Sequence, residues 1–165
     1  MSTQPAQFEA VVREYAEDLK RYALWLCKDP TLANDLVQET YLRAWRAFDK
    51  LRDKKAVKSW LITILRREFA RLFERKVPDL VDVDDYSYIL EDTKEDTPDE
   101  NTELRQLRRA MSELPPKYRE PIMLQVLGGF SCDEIATELN ITRSAVMTQL
   151  FRAREKLKAA LSEDE

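Results

Sequence analysis

Trp60, Thr63, Arg67 and Arg71 recur at i, i+3, i+7 and i+11, so a helix through them presents one aromatic ring and two guanidinium groups on a single face. That combination suits nucleic acid, because the ring can stack on an unpaired base while the cations neutralise phosphates. The same spacing also fits a buried Trp60 flanked by solvated arginines, and the stripe alone leaves both readings open. From Arg43 to Lys76 the chain holds 12 basic residues against 4 acidic ones, and Lys50, Arg52, Lys54, Lys55 and Lys58 carry the positive charge into the segment before the stripe. A second stripe comprises Asp35, Gln38, Glu39, Leu42 and Arg46, at i, i+3, i+4, i+7 and i+11. Its one apolar member sits within a charged rim, which is how a protein interface is organised. A single exposed leucine means little by itself.

A third set lies near the C-terminus. Ser131 and Glu134 have capping-box spacing, and Phe130 with Ile135 has hydrophobic-staple spacing, so a short helix starts cleanly at Cys132 and runs to Leu139. Asn140, Ile141 and Thr142 make a tight turn, with Thr142 as N-cap, and a longer helix follows to about Leu161. The small Ala136 lets the two helices approach closely, and the whole is a helix-turn-helix. Val146, Leu150, Ala153 and Leu157 take the inner face, leaving Ser144, Ala145, Met147, Thr148, Phe151 and Arg152 outward, with Arg143 at the flank. A pair of helices of this kind can be purely structural, but these caps and a net charge of +4 from Arg143 to Lys158 favour DNA.

Other chemistry is poorly supplied. There is no histidine, which removes imidazole acid–base catalysis and imidazole metal ligation. Two distant cysteines, Cys27 and Cys132, make neither a disulfide framework nor a closed zinc site. No carboxylate is paired with a nucleophile in a recognisable motif, so the expectation is a binding protein without metal or cofactor. The N-terminus lacks a basic-then-apolar signal, and no apolar run approaches the ~20 residues that span a bilayer. A cytoplasmic protein with no membrane insertion is expected.

The elements that must hold these stripes are helical. Only two glycines occur, the adjacent Gly128 and Gly129, and long segments rich in Ala, Leu, Glu, Arg and Lys leave little strand signal. A first helix is predicted from about Gln7 to Cys27, with Phe8, Val11, Val12, Tyr15, Leu19, Tyr22, Ala23 and Leu26 at helical spacing. Asp29 as N-cap and Pro30 at the first helical position begin a second, to about Phe48, whose inward face would be Val37, Tyr41, Ala44, Trp45 and Phe48. A third is expected over about Ala56–Lys76. Two more, roughly Glu103–Glu113 and Pro116–Leu127, precede the glycine pair, which ends the latter.

The net charge of −4 hides a division along the chain. Residues 1–76 carry +5, residues 105–165 carry +1, and residues 77–104 carry −10, with 11 acidic residues against one lysine. Like-charge repulsion and prolines at 78 and 98 predict an extended linker. The expected architecture is all-α: two small helical domains, 1–76 and 105–165, joined by a flexible acidic linker over 77–104.

These segments together resemble the extracytoplasmic-function sigma factors of bacterial RNA polymerase, over almost the whole chain. Asp35-Leu36-Val37-Gln38-Glu39-Thr40-Tyr41-Leu42-Arg43-Ala44-Trp45 looks like the family's core-polymerase-binding segment. Lys58-Ser59-Trp60-Leu61 and the basic helix after it are similar to the segment that melts the minus-ten promoter element. Leu114-Pro115-Pro116-Lys117-Tyr118-Arg119-Glu120 looks like the start of the second DNA-binding region, and Glu134-Ile135-Ala136 with Phe151-Arg152-Ala153-Arg154 completes the match. The resemblance implies three partners: core RNA polymerase, promoter DNA and an inhibitory anti-sigma factor. It implies that the helix-turn-helix reads the minus-thirty-five element, and that the linker runs toward the polymerase active site and RNA exit path. Ser144-Ala145, Met147-Thr148-Gln149 and Arg67 depart from frequent family residues, so the promoter letters do not follow from it. The alternative is a stand-alone helix-turn-helix regulator whose N-terminal domain senses or dimerises, which would bind duplex DNA without polymerase and would not need the Asp35–Trp45 segment.

Overall fold

The computed structural model describes residues 4–51, 53, 56–75 and 102–163. The chain divides into two units, Met1–Val81 and Asp82–Glu165, each with its own core.

In the first unit, α1 spans Gln4–Cys27 and α2 spans Pro30–Ala47. A 3-10 turn over Phe48–Lys50 follows, and α3 spans Val57–Arg75. All three helices pack against one another. Lys28 closes α1 in the left-handed region (φ 59°), its N–H donating to the Leu24 carbonyl at 2.9 Å. The chain then turns at once into α2, where the Asp29 carboxylate accepts from Thr31 N–H at 2.9 Å and Pro30 has no N–H to leave unsatisfied. The core is made by Leu19, Tyr22 and Ala23 of α1, Ala33, Leu36 and Ala44 of α2, and Leu61, Ile62 and Leu65 of α3.

Two expectations need correction here. The inward stripe of α1 is buried only at Leu19, Tyr22 and Ala23, since Phe8, Val11, Val12, Tyr15 and Leu26 are half-exposed. Trp45, assigned to the inner face of α2, is 42% exposed. Ala44 is fully buried and takes the position against the core, and the next residue lies about 100° further round the helix. The Trp45 ring leans instead on Phe8 at the start of α1, with ring centroids 5.3 Å apart, and Phe8 meets Phe48 at the same distance.

In the second unit, α4 spans Thr102–Glu113, α5 Pro116–Val126, α6 Cys132–Leu139 and α7 Arg143–Glu163. Helix α7 packs against the other three. Each of its expected inner residues, Val146, Leu150, Ala153 and Leu157, is buried, alongside Leu124, Phe130 and Ile135. After α5, Gly129 adopts φ 71°, and a Cβ on Gly128 would stand 2.7 Å from the Leu124 carbonyl oxygen. Both glycines are therefore required by the turn into α6. The capping box is complete, with Glu134 N–H donating to Ser131 Oγ at 3.1 Å and Ser131 N–H to Glu134 Oε1 at 3.0 Å. Asn140 makes the left-handed step between α6 and α7 (φ 57°), and Ala145 N–H donates to Thr142 Oγ1 at 3.1 Å. Among the described residues no strand occurs. Residues 77–101 of the expected acidic linker lie outside the described residues, and α4 begins within its last turn, at Thr102.

Candidate nucleic-acid interface

Helix α7 enters from a tight, doubly capped turn, which fixes the direction in which its first two turns point. Ser144, Met147, Thr148, Phe151 and Arg152 are exposed, and Ala145 is half-buried. Phe151 is 64% and Met147 54% exposed, large apolar side chains left in water on a helix whose opposite face fills the core. Free energy would be gained by covering them. Arg143 is also exposed, its guanidinium 3.6 Å from the Asp133 carboxylate on α6, so it stands at the flank of the outward face.

Beside this face lies a cluster that sequence spacing did not reveal. Lys117 Nζ sits 5.1 Å and Lys156 Nζ 5.6 Å from the centre of the Tyr118 ring. A hydrogen bond from the Arg152 guanidinium is the largest influence on the Tyr118 hydroxyl and holds its ionisation below the usual tyrosine range, with Lys117 acting in the same direction. Three cations from two helices thus gather at one ring. Periodicity within α7 relates Arg152 to Lys156, but only packing brings Lys117 and Tyr118 of α5 to them. Arg154 likewise hydrogen-bonds Gln125 of α5.

In the first unit the α3 stripe is graded in exposure. Arg67 and Arg71 are exposed, while Trp60 and Thr63 are half-buried. Trp60 is therefore neither a core residue nor a free one. The Thr63 hydroxyl donates to the Ser59 carbonyl at 2.9 Å, which leaves its oxygen to accept only. Lys50 is exposed, and Lys58 Nζ lies 3.6 Å from Asp18 of α1. Arg52, Lys54 and Lys55 lie outside the described residues.

On α2, Asp35, Gln38, Glu39, Leu42 and Arg46 are all exposed and share one face. Leu42 is 54% exposed, and Trp45, three residues on, gives it an apolar neighbour that the sequence reading had put inside. Between the α2 and α3 stripes runs a line of charge. Arg43 Nε lies 2.6 Å from Glu68 Oε1 and 3.4 Å from Glu39 Oε1, and Arg71 lies 3.4 Å from Glu68 Oε1. The Arg43–Glu68 approach is a charge contact rather than an aligned hydrogen bond, since Arg43 Nε is buried without a hydrogen-bonding partner among the described residues. Those residues include no cluster of His, Cys, Asp or Glu able to hold a metal ion, and no helix long and apolar enough to cross a membrane.

Comparison with known proteins places both units. Residues 11–77 match the family model described as sigma-70 region 2, and residues 104–157 match sigma-70, region 4. The chain is 32% identical over 152 residues to the ECF RNA polymerase sigma factor SigM of Bacillus subtilis, covering 92% of this chain and 93% of the relative. It is 32% identical over 166 residues to the ECF RNA polymerase sigma factor SigL of Mycobacterium tuberculosis, covering 98% and 93%. Among solved structures, CnrH in complex with the cytosolic domain of CnrY aligns with a TM-score of 0.62 at 26% identity, over 99% of this chain and 92% of that one. The sigma factor RpoE in complex with the anti-sigma factor NepR from Bartonella quintana aligns at 0.69 and 24% identity, over 96% and 99%, a likeness of fold.

Proposed function

Since this chain belongs to the extracytoplasmic-function (ECF) RNA polymerase sigma factors, we propose that its exposed stripes divide the work of promoter recognition between the two units. As a member of that family it directs RNA polymerase to promoters and is not itself an enzyme. Asp35, Gln38, Glu39, Leu42 and Arg46, with Trp45 enlarging the apolar centre, bind core polymerase. Trp60, Thr63, Arg67 and Arg71, with Lys50, Arg52, Lys54, Lys55 and Lys58, hold the melted strand of the minus-ten element. Arg143, Ser144, Ala145, Met147, Thr148, Phe151 and Arg152 face the minus-thirty-five element. Residues 1–76 and 105–165 are the working domains, and the acidic segment 77–104 between them lies along the RNA path of the polymerase. The protein acts in the cytoplasm, and an anti-sigma factor holds it inactive.

The observation that carries this assignment is the apolar pair Leu42 and Trp45, 54% and 42% exposed at the centre of a charged face one helix away from the basic stripe. A stand-alone helix-turn-helix regulator would cover such a surface with a second copy of itself rather than with polymerase. The deciding experiment is transcription in vitro with purified core polymerase on a random promoter library. Enrichment of two spaced sequence elements that requires both this protein and core polymerase is the expected result. Sequence-specific binding of duplex DNA without polymerase, and no transcription with it, would favour the regulator.

A further inference from the structure

Four side chains of alternating charge run in sequence from α2 to α3: Glu39, Arg43, Glu68 and Arg71. The two ends are exposed and belong to different stripes, Glu39 to the face assigned to polymerase and Arg71 to the face assigned to the melted strand. The interior member, Glu68, is only 7% exposed. Burial of a carboxylate so deep is costly unless cations stand beside it. Two arginines meet it at the same oxygen, Arg43 at 2.6 Å and Arg71 at 3.4 Å. The nearer one neutralises it more fully. Arg71 is held by what remains, at longer range and partly in solvent, where such a contact is weak.

We propose that Glu68 is a positioning residue through which engagement of polymerase at α2 releases Arg71 to the melted strand at α3. The inference rests on the assignment of those two stripes given above. In the free protein Arg43 divides its charge between Glu39 and Glu68, so Glu68 still attracts Arg71 and competes with phosphate for it. When a cationic group of polymerase takes Glu39, Arg43 is left to Glu68 alone, and Arg71 becomes available to a phosphate. Strand binding by Arg71 is thereby weaker in the free protein than in the complex with polymerase. Linkage makes the effect reciprocal, so a melted strand must also tighten polymerase binding.

The test measures that reciprocity with the full chain. The affinity for core polymerase is determined with and without a library-selected promoter fragment pre-melted across its downstream element, and the ratio is the coupling factor. Any direct loss of polymerase contact cancels in this ratio. Glu68→Gln keeps the shape and removes the charge, and should reduce the coupling at least threefold. Glu39→Gln, an exposed change that cannot disturb the core, should reduce it in the same direction because Arg43 then already rests on Glu68. The double variant should lose no more than the larger single loss. Unchanged coupling in Glu39→Gln, or losses that multiply in the double variant, would overturn the proposal. Arg71→Ala separates the two levels. If it weakens the pre-melted fragment while Glu39→Gln leaves coupling intact, the strand assignment stands and only the linkage is lost. If Arg71→Ala has no effect on that fragment, both fall.

Discussion

Tyr41 carries a hydroxyl that is buried without a hydrogen-bonding partner among the described residues, and burial pushes its ionisation above the usual tyrosine range. An unpaired buried hydroxyl costs stability, so Tyr41→Phe is expected to be neutral or to stabilise by about 1 kcal/mol in urea denaturation. The pH dependence has a defined sign. A raised folded-state value means that the contribution of Tyr41 is complete below pH 10 and is lost as pH rises beyond it, so the variant should resist alkaline unfolding better than the parent. Tyr15 is shifted in the same direction, first by burial and then by Glu14 and Asp18, so the change at Tyr41 removes only part of the alkaline loss. Tyr118 runs the other way, because its lowered value adds stability as pH climbs toward 10. Its partner Arg152 supports a clearer test. With Lys117 and Lys156 gathered at the same ring, the contact proposed for Arg152 is a phosphate rather than a base edge. Arg152→Ala should weaken all promoters together and lower the salt dependence of DNA binding by about one unit. Loss of preference at a single base pair in a promoter-library selection, at about 1–3 kcal/mol, would instead mark Arg152 as a base reader.

At the scale of the element, α2 is a helix with one buried and one exposed face. Its inner face is fixed by Ala33, Leu36 and Ala44, and its outer face leaves Leu42 and Trp45 exposed, the centre of the proposed polymerase contact. Leu42→Asp would bury a charge in the polymerase interface, and a loss of about 2–4 kcal/mol in core binding is expected, with an unchanged circular dichroism spectrum. Native affinity in a folded variant would remove Leu42 from the interface. Helix α3 is tested through its exposed arginines. Arg67→Ala and Arg71→Ala should impair opening of duplex promoters and be partly rescued on pre-melted templates; normal opening by both would leave a solvated face. The turn between α5 and α6 sets the approach of the helix-turn-helix. In Gly128→Ala the new methyl meets backbone, the Leu124 carbonyl oxygen at 2.7 Å, which cannot yield without distorting the end of α5. A loss of about 1–3 kcal/mol in thermal or urea unfolding is expected.

For the molecule as a whole, the distribution of charge matters more than its sum. A net −4 suits neither DNA nor an acidic groove, but the segment 77–104 alone carries −10, while the stretch from Arg43 to Lys76 carries +8. An acidic segment can occupy a basic channel in place of RNA, and that is the role proposed for it beyond tethering. Replacing its acids from Asp79 to Glu103 by Asn or Gln keeps the length and removes the charge. The ratio of abortive to full-length transcripts should then change while both helical units stay folded. An identical product ladder would reduce the segment to a tether.

Local rules sufficed wherever a single stretch of chain decides the outcome. Asp29 and Pro30, the Ser131–Glu134 box, the Thr142 cap, the glycine pair and the inner face of α7 were all legible, because caps, turns and periodicity involve neighbours within four or five residues. Legible too were the two stripes as patterns and the exposure of the whole α2 stripe, though not how deep Trp60 and Thr63 of the α3 stripe sit. Trp45 was misplaced since a wide apolar face in sequence does not tell which side chain the core has room for, and Ala44 filled it. The line from Glu39 through Arg43 and Glu68 to Arg71 joins residues up to 32 positions apart. The gathering of Lys117, Tyr118, Arg152 and Lys156 spans 39. Each depends on the rotation of one helix against another, and that angle is set by how their side chains interlock in the core.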